Sequence, residues 1–188
     1  MYLPLAQSLR ARIPALSPAV HTTLQVVFGS LFIALFAQIS IPIPYSPVPV
    51  TGQTFAVLAV AMALGSRNGA LAVLTYILEG AAGLPFFAGG VGGALYLLGP
   101  TGGYLFGFVL CALVCGKLAE LGYDRSYGRM LIAMTLGHLI IFIPGILWLS
   151  RFVPAGQALA LGFVPFIPGT VLKTLAAAAL FPPIRKKI

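Results

Sequence analysis

TLQVVFGSLFIALFAQISI, residues Thr23–Ile41, is followed by PIPYSPVPVTGQ, Pro42–Gln53, and then by TFAVLAVAMAL, Thr54–Leu64. Two apolar runs flank a proline-rich insert, and no Asp, Glu, Lys or Arg occurs from Ile13 to Ser66. A helix crossing a hydrocarbon core of about 30 Å needs about 20 apolar residues. Pro42, Pro44, Pro47 and Pro49 exclude a regular helix between the runs. The stretch reads as two spans joined by an ordered loop, which makes the fold an all-α integral membrane protein.

The rest of the chain repeats the pattern. Gly80–Gly116 and Met130–Ser150 are also free of charge, and the 188 residues are 60% hydrophobic and only 7% charged. Soluble domains keep about a quarter of their residues charged. A third span over Gly69–Leu84 follows the second through the tight turn Gly65-Ser66-Arg67-Asn68. A glycine-rich connection to Tyr104 leads into a fourth span ending near Ala119, and Met130–Leu149 is the fifth. In LGFVPFIPGTVLK, Leu161–Lys173, Pro165 and Pro168 oppose a straight helix, so the last one restarts at Thr170 as N-cap and runs over Val171–Phe181. This gives one membrane domain, 1–188, of six helices: an N-terminal segment 1–22, a bundle 23–181 and a basic tail 182–188. The apolar run after Arg10 and Arg12 is too long for a secretory signal and lacks a small-residue cleavage site, so it is the first span.

The basic residues orient the bundle. With the N-terminus in the cytoplasm, Arg10, Arg12, Arg67, Lys117, Arg125, Arg129, Arg185, Lys186 and Lys187 all lie inside, nine of the eleven Lys and Arg. Arg151 alone lies outside, and Lys173 falls within a span. Both termini are therefore expected to be cytoplasmic. The same distribution, short clusters between apolar segments with no aromatic-interleaved basic face, argues against nucleic acid as a partner.

Several chemistries are excluded by what the chain lacks. Cys111 and Cys115 are too few for a structural zinc site, there is no phosphate-cradling G-x-x-x-x-G-K-[ST] motif, and the only acidic residues are Glu79, Glu120 and Asp124. No catalytic residue, metal or cofactor is assigned. A membrane protein with an outward pocket and no engine points to capture, with energy supplied by a partner.

The candidate pocket follows from polar residues that share one level of the bundle. Gln53 opens span two, Glu79 lies near the end of span three, Tyr104 opens span four, Trp148 ends span five and Lys173 opens span six. A lysine within a span costs ~2.5–3.5 kcal/mol, and near a helix N-terminus it also opposes the macrodipole. A bound carboxylate between Lys173 and the backbone N–H groups after Thr170 resolves both; snorkelling or pairing with Glu79 is the alternative. Tyr45, Tyr76, Phe87 and Tyr96 are candidates to stack on a ring or simply to pack. His138 reads as a hydrogen-bonded interior histidine and Trp148 as an interfacial anchor. Ser30, Ala34 and Ala37 give span one a small-xxx-small face, which serves internal packing or docking of another chain.

Four stretches carry a resemblance: IPIPYSPVPVTGQTFAVL (Ile41–Leu58), YILEGAAGLPFFAGG (Tyr76–Gly90), GPTGGYLFGF (Gly99–Phe108) and GQALALGFVPFIPGTVLK (Gly156–Lys173). They resemble the BioY family over nearly the whole chain. The resemblance implies a biotin-specific substrate-binding subunit (S-component) of an energy-coupling-factor transporter in the bacterial cell membrane. It implies six helices, an extracytoplasmic biotin pocket beneath the first loop, and partners comprising a transmembrane coupling protein and cytoplasmic ATPases. Lys173 matches the family's lysine, whereas Thr170 stands where the family usually has an acidic residue; threonine keeps the capping role, and Glu79 is the residue placed to compensate. The expected substrate-binding set is Lys173, Glu79, Gln53, Tyr45, Tyr76, Phe87, Tyr96 and Thr170, with Ser30, Ala34 and Ala37 as the docking face. The alternatives are capture of another small carboxylated vitamin, or a polytopic membrane enzyme acting on lipid.

Overall fold

The computed structural model describes Leu5 and residues 17–187, with side chains through residue 184. Arg10, Arg12 and most of the N-terminal segment lie outside the described residues, as do the side chains of Arg185, Lys186 and Lys187. Helix α1 (Pro18–Ala37) starts where Ser17 Oγ accepts from Val20 N, with proline in the first turn. Its buried residues Gly29, Ser30, Ile33, Ala34 and Ala37 recur every three to four positions and face the bundle. A Cβ on Gly29 would lie 2.8 Å from Ala72 Cβ and 3.2 Å from Leu64 Cδ1, so α1 packs closely on the next helices. The expectation that Ser30, Ala34 and Ala37 form a docking face is corrected here: they are 0%, 5% and 0% exposed. Their smallness serves α1 packing within the chain, and bulky Phe28, Leu31 and Leu35 occupy the exposed side.

The proline-rich insert is a β-hairpin rather than an irregular loop. Strand β1 (Ser40–Ile43) pairs antiparallel with β2 (Ser46–Thr51), Ser40 opposite Thr51 and Ile41 opposite Val50. A two-stranded sheet has only edge strands, where proline's missing N–H can face outward.

The helical stretch α2 (Gln53–Ala81) is two helices joined across a kink at Gly65. Gly65 has φ 83° and ψ 180°, and a Cβ on Gly69 would lie 3.0 Å from Ala61 Cα. Gln53 Nε2 also donates to Tyr76 OH; a straight helix would hold residues so far apart in sequence at opposite ends, at about 1.5 Å per residue. The chain therefore reverses at Gly65, as the expected turn between spans two and three requires. The polar end of this reversal is fixed twice: Asn68 Nδ2 donates to Gln25 Oε1 at 2.9 Å, and Glu120 Oε1 accepts from Ser66 N at 3.0 Å and Ser66 Oγ at 2.7 Å.

After a loop carrying the short helix α3 (Leu95–Leu98), α4 (Gly102–Glu120) and α5 (Tyr127–Leu149) pack through glycines. A Cβ on Gly103 would sit 2.3 Å from Trp148 Cβ, and one on Gly107 2.8 Å from Ile141 O. This is close helix approach of the small-xxx-small kind. A short helix α6 (Ala158–Gly162) and a 3₁₀ turn (Val164–Phe166) precede α7 (Ile167–Lys187). The break expected near Pro165 is present at Phe163, with φ −131° and ψ −53°.

Two details of the last helix are corrected. It begins at Ile167, because Pro168 stands in the first turn, where its lost N–H costs nothing. Thr170 is thus inside the helix rather than its N-cap. The helix also continues through Pro182 and Pro183 to Lys187, so most of the expected tail 182–188 is helical. Among the described residues, five helical stretches, with mean hydropathy from 1.6 to 2.2, are long and apolar enough to cross a membrane; the reversal in α2 divides one of them in two.

Candidate functional site

The hairpin, the 82–101 loop and α6 meet at one end of the bundle. Ser46 Oγ donates to Leu161 O at 2.8 Å and Gln38 Nε2 to Pro85 O at 3.3 Å, tying the three connections together. Beneath them lies a narrow cavity of about 30 Å³, smaller than the roughly 300–1,000 Å³ of small-molecule sites, so its lining must part to admit a ligand. Its roof is Val48, Pro49 and Thr51 of β2 with Ala88 and Tyr96 of the loop. Its walls are Gln53 and Thr54 of α2, Thr101, Tyr104, Leu105 and Phe108 at α4, Phe142 of α5, Phe166, and Lys173 of α7.

Lys173 is the one charged residue in this lining. Its ammonium donates to Thr51 O at 2.6 Å and to Thr54 Oγ1 at 2.8 Å, both neutral acceptors. A cation in an aromatic, membrane-embedded pocket is held by hydrogen bonds but not neutralised. Glu79 does not line the cavity, and its Oε2 is buried without a hydrogen-bond partner. Lys173 lies in the second turn of α7, so the expected help from free N–H groups after Thr170 is withdrawn: those groups are already within the helix.

The other expected residues separate into lining and support. Gln53 and Tyr96 join Lys173 at the cavity. Tyr76 and Phe87, both 0% exposed, stand behind the wall. Phe87 stacks on Tyr96 with ring centres 4.6 Å apart and meets Tyr76 edge-on at 5.8 Å. A Cβ on Gly80 would lie 2.5 Å from the Phe87 ring, so this ladder is fitted against α2. Burial raises the Tyr96 phenol above its ordinary value, with Thr101 opposing, which keeps the ring neutral. Thr51 Oγ1 donates to Gln53 Oε1 at 3.0 Å, and Tyr76 OH donates to Phe86 O at 3.3 Å, continuing the Gln53–Tyr76 contact into one relay from hairpin to loop. Tyr45 is at the hairpin tip, 67% exposed and away from the cavity. Thr170 lines a different crevice, between α5 and α7.

Thr54, Phe108, Phe142 and Phe166 were not foreseen. The spacing of Tyr104 and Phe108, one turn apart at the start of α4, was the available signal. Tyr104 is set by small neighbours: its ring crosses Gly145, where a Cβ would be 2.4 Å from Cδ1, and its hydroxyl donates to Gly162 O at 2.8 Å.

A pocket rich in aromatic rings with a single ammonium in its lining, at one end of the bundle, has the chemistry of a small-anion binding site. The BioY family model matches residues 8–188. The chain belongs to the BioY family. A "Biotin transporter BioY" from Thermotoga maritima is 44% identical over 160 residues, covering 83% of this chain and 92% of that protein. A "Probable biotin transporter BioY" from Pyrococcus horikoshii is 40% identical over 159 residues, covering 83% and 93%. Among solved structures, the crystal structure of the S-component for biotin from an ECF-type ABC transporter superposes with TM-score 0.80 at 29% identity. That match covers 92% of this chain and 95% of that one. Like the BioY proteins it matches, the chain is a multi-pass membrane protein and not an enzyme.

Proposed function

We infer that the chain is the S-component of a biotin uptake system, binding biotin in the cavity beneath the hairpin. The observation that carries this is the Lys173 ammonium, held by neutral oxygens, in a pocket whose other lining residues are uncharged and rich in aromatic rings. Biotin pairs one carboxylate with a largely apolar bicyclic ring. Thr51 O and Thr54 Oγ1 accept from the Lys173 ammonium, and an incoming carboxylate replaces neutral acceptors with a charge-assisted bond, roughly twice as strong. Tyr96, Tyr104, Phe142 and Phe166 offer ring faces to the bicycle. Saturable binding of labelled biotin to the purified protein, displaced by unlabelled biotin, is expected; absence of saturable binding to folded protein would contradict the reading.

The captured vitamin is moved by a membrane-embedded coupling protein and cytoplasmic ATPases, since the chain carries no nucleotide-binding motif of its own. Both termini face the cytoplasm and the hairpin and 82–101 loop face outward, a reading supported by the Lys and Arg distribution. With the buried Cys111 and Cys115 replaced by alanine, Tyr45→Cys is expected to react with an impermeant maleimide in intact cells, and Arg67→Cys only after lysis. The reverse labelling pattern would invert the topology.

A further inference from the structure

Among the buried polar groups that the capture mechanism does not use, besides Glu79, is His138. His138 on α5 is 2% exposed, and its Nδ1 lies 2.8 Å from Met134 O and 3.4 Å from Thr174 Oγ1 of α7. A carbonyl only accepts, so Nδ1 carries the proton of the neutral ring and donates it. Nε2 is then a bare acceptor, and it is buried with no hydrogen-bond partner. Such a group costs free energy that a matching donor recovers.

His138 lines the crevice between α5 and α7 together with Thr135, Phe163, Thr170 and Thr174. Phe142 is a wall of both this crevice and the Lys173 cavity. Its ring packs edge-on against Phe163 at 5.1 Å and against Phe166 at 5.7 Å, and lies nearly parallel to His138 at 6.5 Å. On α7 the two spaces are lined by consecutive residues, Lys173 and Thr174.

We propose that His138 Nε2 is a specificity-determining acceptor for a ureido N–H of the bound ligand, reached past Phe142; this rests on the biotin reading above. A ureido group entering an aromatic pocket loses water from its N–H donors and needs acceptors there. The oxygens nearest the ammonium are each already bonded to one donor, with a second lone pair remaining: Thr51 O and Thr54 Oγ1 to Lys173, and Gln53 Oε1 to Thr51. His138 Nε2 is bonded to none.

Dissociation constants are measured for wild type, His138→Phe and His138→Asn, with biotin and with biotin methylated on both ureido nitrogens, which keeps the carbonyl and carboxylate but has no N–H. His138→Phe, which retains an aromatic ring, is expected to weaken biotin at least about tenfold and to change the dimethyl compound by less than about twofold. His138→Asn, with a carbonyl acceptor, recovers part of the loss. In wild type labelled with ¹⁵N-histidine, with His21→Asn removing the other resonance, the His138 Nε2 signal is expected to shift with biotin and not with the dimethyl compound; this holds whether or not the Phe variant folds. Equal losses for both ligands, biotin affinity unchanged in His138→Phe, or no selective ¹⁵N shift would each overturn the proposal. Failure of wild type to bind biotin would overturn the biotin reading itself and this assignment with it.

Discussion

Lys173→Met is expected to weaken biotin binding by more than about a hundredfold while changing the affinity for biotin amide far less. Methionine keeps the length of the side chain and removes the charge. The carboxylate would then sit in the aromatic cavity without its cation, and leaving a buried charge unpaired costs ~3–5 kcal/mol. The substitution also removes the two bonds to Thr51 O and Thr54 Oγ1, which join α7 to the end of β2 and the start of α2. Some loosening of the hairpin is expected from that, and it would affect both ligands alike. Dissociation constants for the acid and the amide, in wild type and variant, separate the two effects. Equal weakening would mean that Lys173 holds the hairpin rather than the carboxylate.

Gly116→Val is expected to prevent stable folding. A Cβ at Gly116 would lie 2.4 Å from Gly65 C and Ser66 N and 2.5 Å from Ser66 Cα, all backbone atoms of the α2 reversal. No rotamer change relieves contacts with backbone, so α4 must move away. Such a shift also breaks the Glu120 carboxylate from Ser66 N and Ser66 Oγ. Overpacking together with two lost hydrogen bonds amounts to about 3 kcal/mol or more. Gly128→Val near the start of α5 is the control, since nothing lies within 4 Å of its Cβ position. The yield of monodisperse protein and the thermal unfolding midpoint are expected to fall sharply for the first variant and little for the second. A normal midpoint for Gly116→Val would show that α4 and α2 can separate without cost.

The spans were legible in the sequence because charge is so expensive in hydrocarbon that its absence marks them. The reversal at Gly65 was legible for a related reason: Arg67 and Asn68 interrupt an apolar run too long for one pass. The hairpin was not, because the prolines that exclude a helix also discourage a strand, and only the lack of inner-strand positions admits them at Pro42, Pro47 and Pro49. At Pro168 the reading went wrong in the other direction, taking a first-turn proline for a helix breaker and moving the start of α7 to Thr170.

The site was half legible. Lys173 stood out because a cation in a span needs a reason, Gln53 followed from its level in the bundle, and Tyr96 was read as a ring that stacks on a ligand or simply packs. Tyr76 and Phe87, read the same way, pack behind the cavity wall, and Phe108 and Phe142 went unnoticed. Membrane helices are apolar all round, so periodicity does not distinguish the side facing the cavity from the side facing lipid. Ser30, Ala34 and Ala37 show the same limit: small residues announce a close approach without naming the helix that makes it, and here it is within the chain.

The central claim is that biotin lies under the hairpin with its carboxylate on Lys173, and a structure of the protein with biotin bound tests it most directly. The expected result is ligand density in the cavity among Tyr96, Tyr104 and Phe142, with a carboxylate oxygen about 3 Å from Lys173 Nζ. Density with the carboxylate turned away from Lys173, or a ligand seated instead in the groove between α1, α2 and α7, would contradict it.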